Sequence, residues 1–97
     1  MKEKVYEFLT TVPKGRVVTY GQIAEYLGNK KLARVVGNIL HNNPDGDKYP
    51  CYKVVDCKGN LSKNYAFGGM EKQRERLEND GIRVTKYRVD LDKYKFI

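Results

Sequence analysis

A mainly helical domain with a small β component, organised round a helix-turn-helix, is the fold class that these 97 residues predict. Three observations carry the prediction. Apolar residues recur at helical spacing in three successive N-terminal segments. A capping-box sequence opens the second segment. A tight glycine-containing turn joins the second segment to the third, and the third has a polar face opposite its apolar one.

The first helix is expected over residues 2–12, where Val5, Phe8, Leu9 and Val12 fall at i, i+3, i+4 and i+7. Pro13-Lys14-Gly15 stops it, and Arg16-Val17-Val18 is a short β-like run. Thr19-Tyr20-Gly21-Gln22 is the capping box of the second helix, which carries Tyr20, Ile23, Ala24 and Leu27 on one face and ends at Gly28. The third helix begins near Lys31, with Leu32, Val35, Val36, Ile39 and Leu40 as its core stripe. Its other face repeats Arg34, Gly37, Asn38 and His41 at the same spacing. An ordinary solvated helix face uses such residues too. The capped helix before it and the net charge of +7 favour nucleic-acid contact, with Gly37 allowing close approach.

Residues 42–47 form a loop by composition. It delivers the chain to Asp47-Lys48-Tyr49-Pro50-Cys51-Tyr52-Lys53-Val54-Val55-Asp56-Cys57. Pro50 stiffens the bend at Cys51, and a strand is expected over residues 52–55, forming a hairpin with residues 60–62. A free cysteine is most often a small buried hydrophobe; a thiol held by a rigid bend at the mouth of a strand also suits a reactive group. Residues 63–67 read as a loop carrying Tyr65 and Phe67. Gly68-Gly69 releases a charged helix over residues 70–79, expected on the surface. Residues 82–84 and 87–91 are candidate strands, and residues 94–97 are apolar enough to dock.

The length allows a single domain, residues 1–97, with a modest core. No apolar run is long enough to cross a membrane, and the N-terminus lacks a signal-peptide core, so a cytoplasmic location and reduced thiols are expected. The spacing of Cys51 and Cys57 fits neither a CxxC motif nor a zinc site, and with one His no metal or cofactor is expected.

Several of these segments together resemble one family. Gly15 to Ala24 in sequence (Gly-Arg-Val-Val-Thr-Tyr-Gly-Gln-Ile-Ala) is similar to the start of the DNA-binding domain of O6-alkylguanine-DNA alkyltransferases. Ala33-Arg34-Val35-Val36-Gly37-Asn38 resembles that family's recognition helix. Asn43-Pro44 and Pro50-Cys51-Tyr52-Lys53-Val54-Val55 resemble its active-site signature, usually Pro-Cys-His-Arg-Val; Phe67-Gly68-Gly69 resembles its C-terminal element.

The resemblance implies a winged helix-turn-helix that binds the minor groove, flips alkylated guanine out of double-stranded DNA and transfers the alkyl group irreversibly to the cysteine. It assigns Cys51 as acceptor, Asn43 as support of its loop, Arg34 as the residue that fills the vacated stack and Tyr20 as the contact to the adjacent phosphate. Tyr65 would lie near the flipped base, and Gly37, Asn38 and Lys53 would face DNA. Extruding a base costs a few kcal/mol of stacking, which an inserted side chain offsets, and a thiolate is a suitable soft acceptor.

Tyr52 stands where the family has His, Lys53 where it has Arg, and the family's orienting carboxylate aligns with Arg74. The Cys-His-Glu relay is therefore not visible. Tyr52 is a poor base unless its ordinary pKa near 10 falls, while Lys48, Lys53 or a helix N-terminus could lower the thiol pKa; a Cys51 pKa depressed below that of Cys57 is the expectation. The short length and the ending Arg88-Val89-Asp90-Leu91-Asp92-Lys93-Tyr94 also resemble alkyltransferase-like proteins, which bind alkylated guanine without repairing it and recruit nucleotide excision repair. Alkyl transfer, lesion sensing by a monomer, and a winged-helix regulator are the three readings.

Overall fold

The computed structural model describes residues 1–63 and 65–96. The chain runs α1 (Lys2–Thr11), β1 (Val18–Thr19), α2 (Tyr20–Tyr26), a 3-10 turn (Lys30–Leu32), α3 (Ala33–His41), a second 3-10 turn (Cys51–Lys53) and β2 (Val54–Val55). It continues through α4 (Gly69–Asn79), β3 (Val84–Thr85), β4 (Arg88–Val89) and α5 (Leu91–Tyr94).

The apolar stripe of α1 is buried at Val5 and Leu9, with Val12 just beyond the helix end. The capping box forms as its sequence dictates. Gln22 N–H donates to Thr19 Oγ1 at 3.1 Å, and Thr19 N–H donates to Gln22 Oε1 at 2.9 Å. Gly28, at φ +95°, turns the chain out of α2 in the left-handed region where a side chain would be strained. In α3, Val36 and Leu40 enter the core while Val35 is exposed. Tyr6 Oη donates to the Ile39 carbonyl at 2.8 Å and ties α1 to α3.

The sheet differs from the expected hairpin. The 52–55 strand is cut to two residues, because residues 51–53 take a 3-10 turn, and β2 pairs in parallel with β1, Val18 opposite Val54 and Thr19 opposite Val55. Residues 56–60 close a tight turn instead, with the Asp56 carboxylate accepting from the amides of Lys58 and Asn60. The parallel pairing needs the α2–α3 crossover between its strands, and it sets the N-terminus of α2 beside the Cys51 turn.

At the C-terminus, β3 and β4 form an antiparallel hairpin whose two turn residues, Lys86 and Tyr87, have φ of +53° and +59°. Both-positive φ suits the strand twist and is the mark of a primed turn, here without glycine. The expected strand to Leu91 stops at Val89, since the Asp90 side chain caps α5 through the Asp92 amide. The docking of the last segment is seen through Phe96: its N–H donates to the Val17 carbonyl at 2.7 Å, and its carbonyl accepts from Gln22 Nε2 at 2.7 Å. Ile97 lies outside the described residues.

Most of α4 is solvated, as its charge predicts, but Leu77 and Gln73 are fully buried. Gln73 spans three strand and turn groups. Its Nε2 donates to the carbonyls of Tyr52 (3.0 Å) and Val54 (2.9 Å), and its Oε1 accepts from Ser62 N–H (2.8 Å). A buried amide is stable in the core only when so satisfied. Among the described residues no helix is long and apolar enough to cross a membrane.

Candidate nucleic-acid interface and thiol site

Pro50 has φ −73° and ψ 73°, and Cys51 N–H donates to the Tyr49 carbonyl across it at 2.7 Å. This is an inverse γ-turn, which the fixed proline φ pre-forms. Two contacts hold the preceding residue: Tyr49 stacks on Tyr6 with ring centroids 4.8 Å apart, and its carbonyl accepts from Asn43 Nδ2 at 2.7 Å. Asn43 is itself buried and accepts from Asp45 N–H. The loop is thus braced from α1 and from the end of α3.

Cys51 lines a cavity of about 540 Å³, together with Tyr20, Arg34, Gly37, Asn38, His41, Tyr65 and Gln73. That volume lies in the range of small-molecule sites, roughly 300–1,000 Å³. The polar stripe of α3 forms one side, with Arg34 and Asn38 exposed to solvent at its rim. A Cβ on Gly37 would meet only the edge of the Tyr20 ring, at 4.0 Å, so the glycine keeps the helix surface low beside the cavity. Tyr65 is 8% exposed, and its hydroxyl is the buried side-chain polar atom that lacks a partner among the described residues. An unpaired buried hydroxyl is costly, and one on a residue of a cavity wall is a candidate partner for a ligand.

The nine residues singled out in the sequence divide into three groups. Tyr20, Arg34, Gly37, Asn38, Cys51 and Tyr65 share the cavity wall, and Asn43 braces it from behind. Tyr52 and Lys53 point elsewhere. Lys53 was expected to face DNA; it is 6% exposed, with Nζ donating to the Val12 carbonyl at 2.8 Å and lying 4.0 Å from Asp80. The 3-10 turn rotates it inward, so it is no surface phosphate contact. Tyr52 donates its hydroxyl to Asp80 Oδ2 at 2.9 Å, and burial, reinforced by that carboxylate, pushes its pKa well above the ordinary value. A phenol so held does not act as a base near neutrality.

The carboxylate partner of residue 52 is Asp80, while Arg74 stands at the position aligned with the family's carboxylate. Arg74 lies on the outside of α4, paired with Glu71 and Glu78. The expected fall in the Cys51 pKa is reversed: burial pushes the thiol up, while the Asn43 side chain and the Arg76 charge oppose it. Neither Lys48 nor Lys53 is the cation concerned; Arg76 is, its guanidinium lying 4.6 Å from the Tyr52 ring centroid and 3.2 Å from Asp47. Sequence reading missed Gln73, Arg76 and Asp80. Gln73 had a signal, a lone amide between Met70 and Leu77 on the buried stripe of α4; Arg76 and Asp80 had none, since their partners are distant in sequence.

A capped helix, a tight turn, a second helix with an open polar face and a following hairpin define a winged helix-turn-helix of the DNA-binding kind. The chain belongs to the family described as 6-O-methylguanine DNA methyltransferase, DNA binding domain, which matches residues 1–82. Among its relatives is the Picrophilus torridus bifunctional methyltransferase/endonuclease, 45% identical over 92 residues, 95% of this chain but only 30% of that protein. Alkyltransferase-like protein 1 of Schizosaccharomyces pombe is 35% identical over 92 residues, 95% of this chain and 83% of that one. The crystal structure of S. pombe Atl1 with damaged DNA containing O6-carboxymethylguanine superposes with TM-score 0.90 at 31% identity, over 99% of this chain and 94% of that one.

Proposed function

We propose that this chain recognises O6-alkylguanine in duplex DNA by extruding the base into the cavity between α3 and the Cys51 turn, and that Cys51 takes the alkyl group. The carrying observation is that Cys51 and Tyr65, whose buried hydroxyl has no partner among the described residues, line one cavity with Arg34 at its rim. Arg34 enters the stack in place of the base, Tyr20 bears on the neighbouring phosphate, and Gly37 and Asn38 let the backbone lie close. In the transfer, a bond forms between Cys51 Sγ and the alkyl carbon as the carbon–O6 bond breaks. The thiol proton ends on the released guanine. The match to the Atl1 complex with O6-carboxymethylguanine DNA supports the lesion class.

The test is peptide mass spectrometry after incubation with an O6-methylguanine duplex. One methyl on the peptide containing Cys51, absent in Cys51→Ser, is the expected result. An unmodified Cys51 in a protein saturated with that duplex ends the transfer reading.

A second reading has its own observation. Burial raises the Cys51 pKa, and the residue in the relay position, Tyr52, is committed to Asp80. On this reading the chain is a reversible lesion sensor that recruits nucleotide excision repair. Cys51→Ser then leaves lesion affinity unchanged, and a tenfold loss in that variant counts against it.

A further inference from the structure

Past residue 82 the chain builds a second groove. The segment that leaves the first cavity at Val54 and returns to it at Ser62 carries Cys57 and Lys58 between them, and these line a concavity of about 940 Å³. The rest of its wall comes from the β3–β4 hairpin and α5, outside the stretch that matches the family. Five cations line it, Lys58, Arg83, Lys86, Arg88 and Lys93, against two carboxylates, Asp90 and Asp92.

All five cations are exposed, and among the described residues none has a carboxylate within 4.0 Å. Asp90 is occupied as the cap of α5. The nearby Asp56 feels the charge of Lys58, yet its oxygens are taken up by the amides of Lys58 and Asn60 and by the Asn60 side chain.

The scaffold under these charges is firm. Val89 N–H donates to the Gly59 carbonyl at 2.9 Å, and Gly59, at φ +89°, sits so close on β4 that a Cβ there would collide with the Val89 carbonyl. Arg88 Nε donates to the Lys58 carbonyl at 2.8 Å, which leaves the two outer guanidinium nitrogens as further donors. Arg16 adds a cation at the edge, donating to the Lys93 carbonyl at 2.7 Å. Crowded like charges repel one another and are relieved by a polyanion.

We propose that this groove is a second phosphate-contact site that takes the sugar-phosphate backbone of nucleic acid. The inference rests on the DNA reading of the first cavity. The phosphates come either from the flank of the lesion duplex or from a separate duplex. In a molecule of 31 × 27 × 22 Å, set against about one duplex charge per 1.7 Å of helix axis, both sources are within reach.

The experiment measures affinity for an O6-methylguanine duplex across a salt series, for the wild type and for Arg83→Ala/Lys86→Ala/Lys93→Ala. Among the described residues these side chains make no hydrogen bond to the fold; a circular-dichroism melt checks folding, and the matching Arg83→Lys/Lys86→Arg/Lys93→Arg variant controls for shape. If the groove grips the lesion duplex, the slope of log affinity against log salt falls by about two to three in the alanine variant. Low-salt binding weakens at least tenfold, preference for the lesion persists, and the charge-keeping variant resembles the wild type. If the source is a separate duplex, that slope is unchanged, but lesion-saturated wild type binds a fluorescent unmodified duplex and the alanine variant does not. An unchanged slope with no second duplex bound overturns the proposal. Failure of the lesion reading is separate: it shows as a wild type with no preference for the lesion, and the same slope comparison on unmodified duplex then decides the groove.

Discussion

Replacing Tyr65 by Phe removes one oxygen and leaves the ring, including its edge contact with Phe67 at 5.8 Å between centroids. The oxygen removed is the buried hydroxyl without a partner among the described residues. Burying such a group costs roughly 1–3 kcal/mol, so Tyr65→Phe should stabilise the free protein by about 1 kcal/mol. For a domain of this size that is a rise in Tm of about 4–8 °C. Lesion-duplex affinity should fall about fivefold, because the hydroxyl finds its partner in the flipped base.

The same residue sets an alkaline signature. Burial, with the Cys51 charge second, pushes the Tyr65 pKa from 10.0 up to about 12. A raised folded pKa means the unfolded chain loses its proton first. Folding stability is therefore untouched by this group below pH 10 and falls as pH climbs towards 12, by at most about 2.7 kcal/mol before solvent screening. Urea melts at neutral pH and through this alkaline window measure both effects, with Tyr65→Phe losing less stability than the wild type. A variant destabilised by 1 kcal/mol or so at neutral pH, or one with the same alkaline loss, refutes the reasoning.

Gln73→Leu keeps the volume but strips partners from two carbonyls and one amide, and should cost about 3 kcal/mol in a urea titration; a loss under about 1 kcal/mol would show those groups are met otherwise. The Cβ of Gly37→Ala meets only the Tyr20 ring edge, at an ordinary 4.0 Å, so the helix should gain about 0.5–1 kcal/mol while lesion-DNA affinity drops; stability and affinity rising together would contradict a close DNA approach there. Asp80→Ala leaves the buried Lys53 ammonium without its neighbouring carboxylate and the Tyr52 hydroxyl without its acceptor, and should cost about 3 kcal/mol by the same titration. Lys53→Met/Asp80→Ala should recover most of that loss, and a double variant as weak as the single one would mean that Lys53 is not the cause.

How much of the site was legible depended on how local its parts are. The Thr19–Gln22 box was readable because both partners sit within one helical turn. The α3 stripe of Arg34, Gly37 and Asn38 was readable because helix periodicity alone puts them on one side. The Pro50 bend was readable because proline carries its own φ. Lys53 was misread because a two-residue strand and a 3-10 turn differ by a rotation that only packing against Val12 and α4 selects. The β2 partner was misread because the nearer segment, residues 60–62, offered a shorter loop, while the buried surfaces of Val18 and Val54 favoured β1.

The sequence by itself determined the helices, their caps and the face that Arg34 occupies, since these follow from contacts within a few residues. It also determined that a rigid bend presents Cys51. Only the tertiary structure decided that Tyr20, Cys51 and Tyr65 meet in one cavity, that Lys53 and Tyr52 are drawn to Asp80, and that the Cys51 thiol is made less acidic. The reason is physical: desolvation and ion pairing depend on which distant segments exclude water from a group, and that is settled when β1 and β2 align and α4 closes over them.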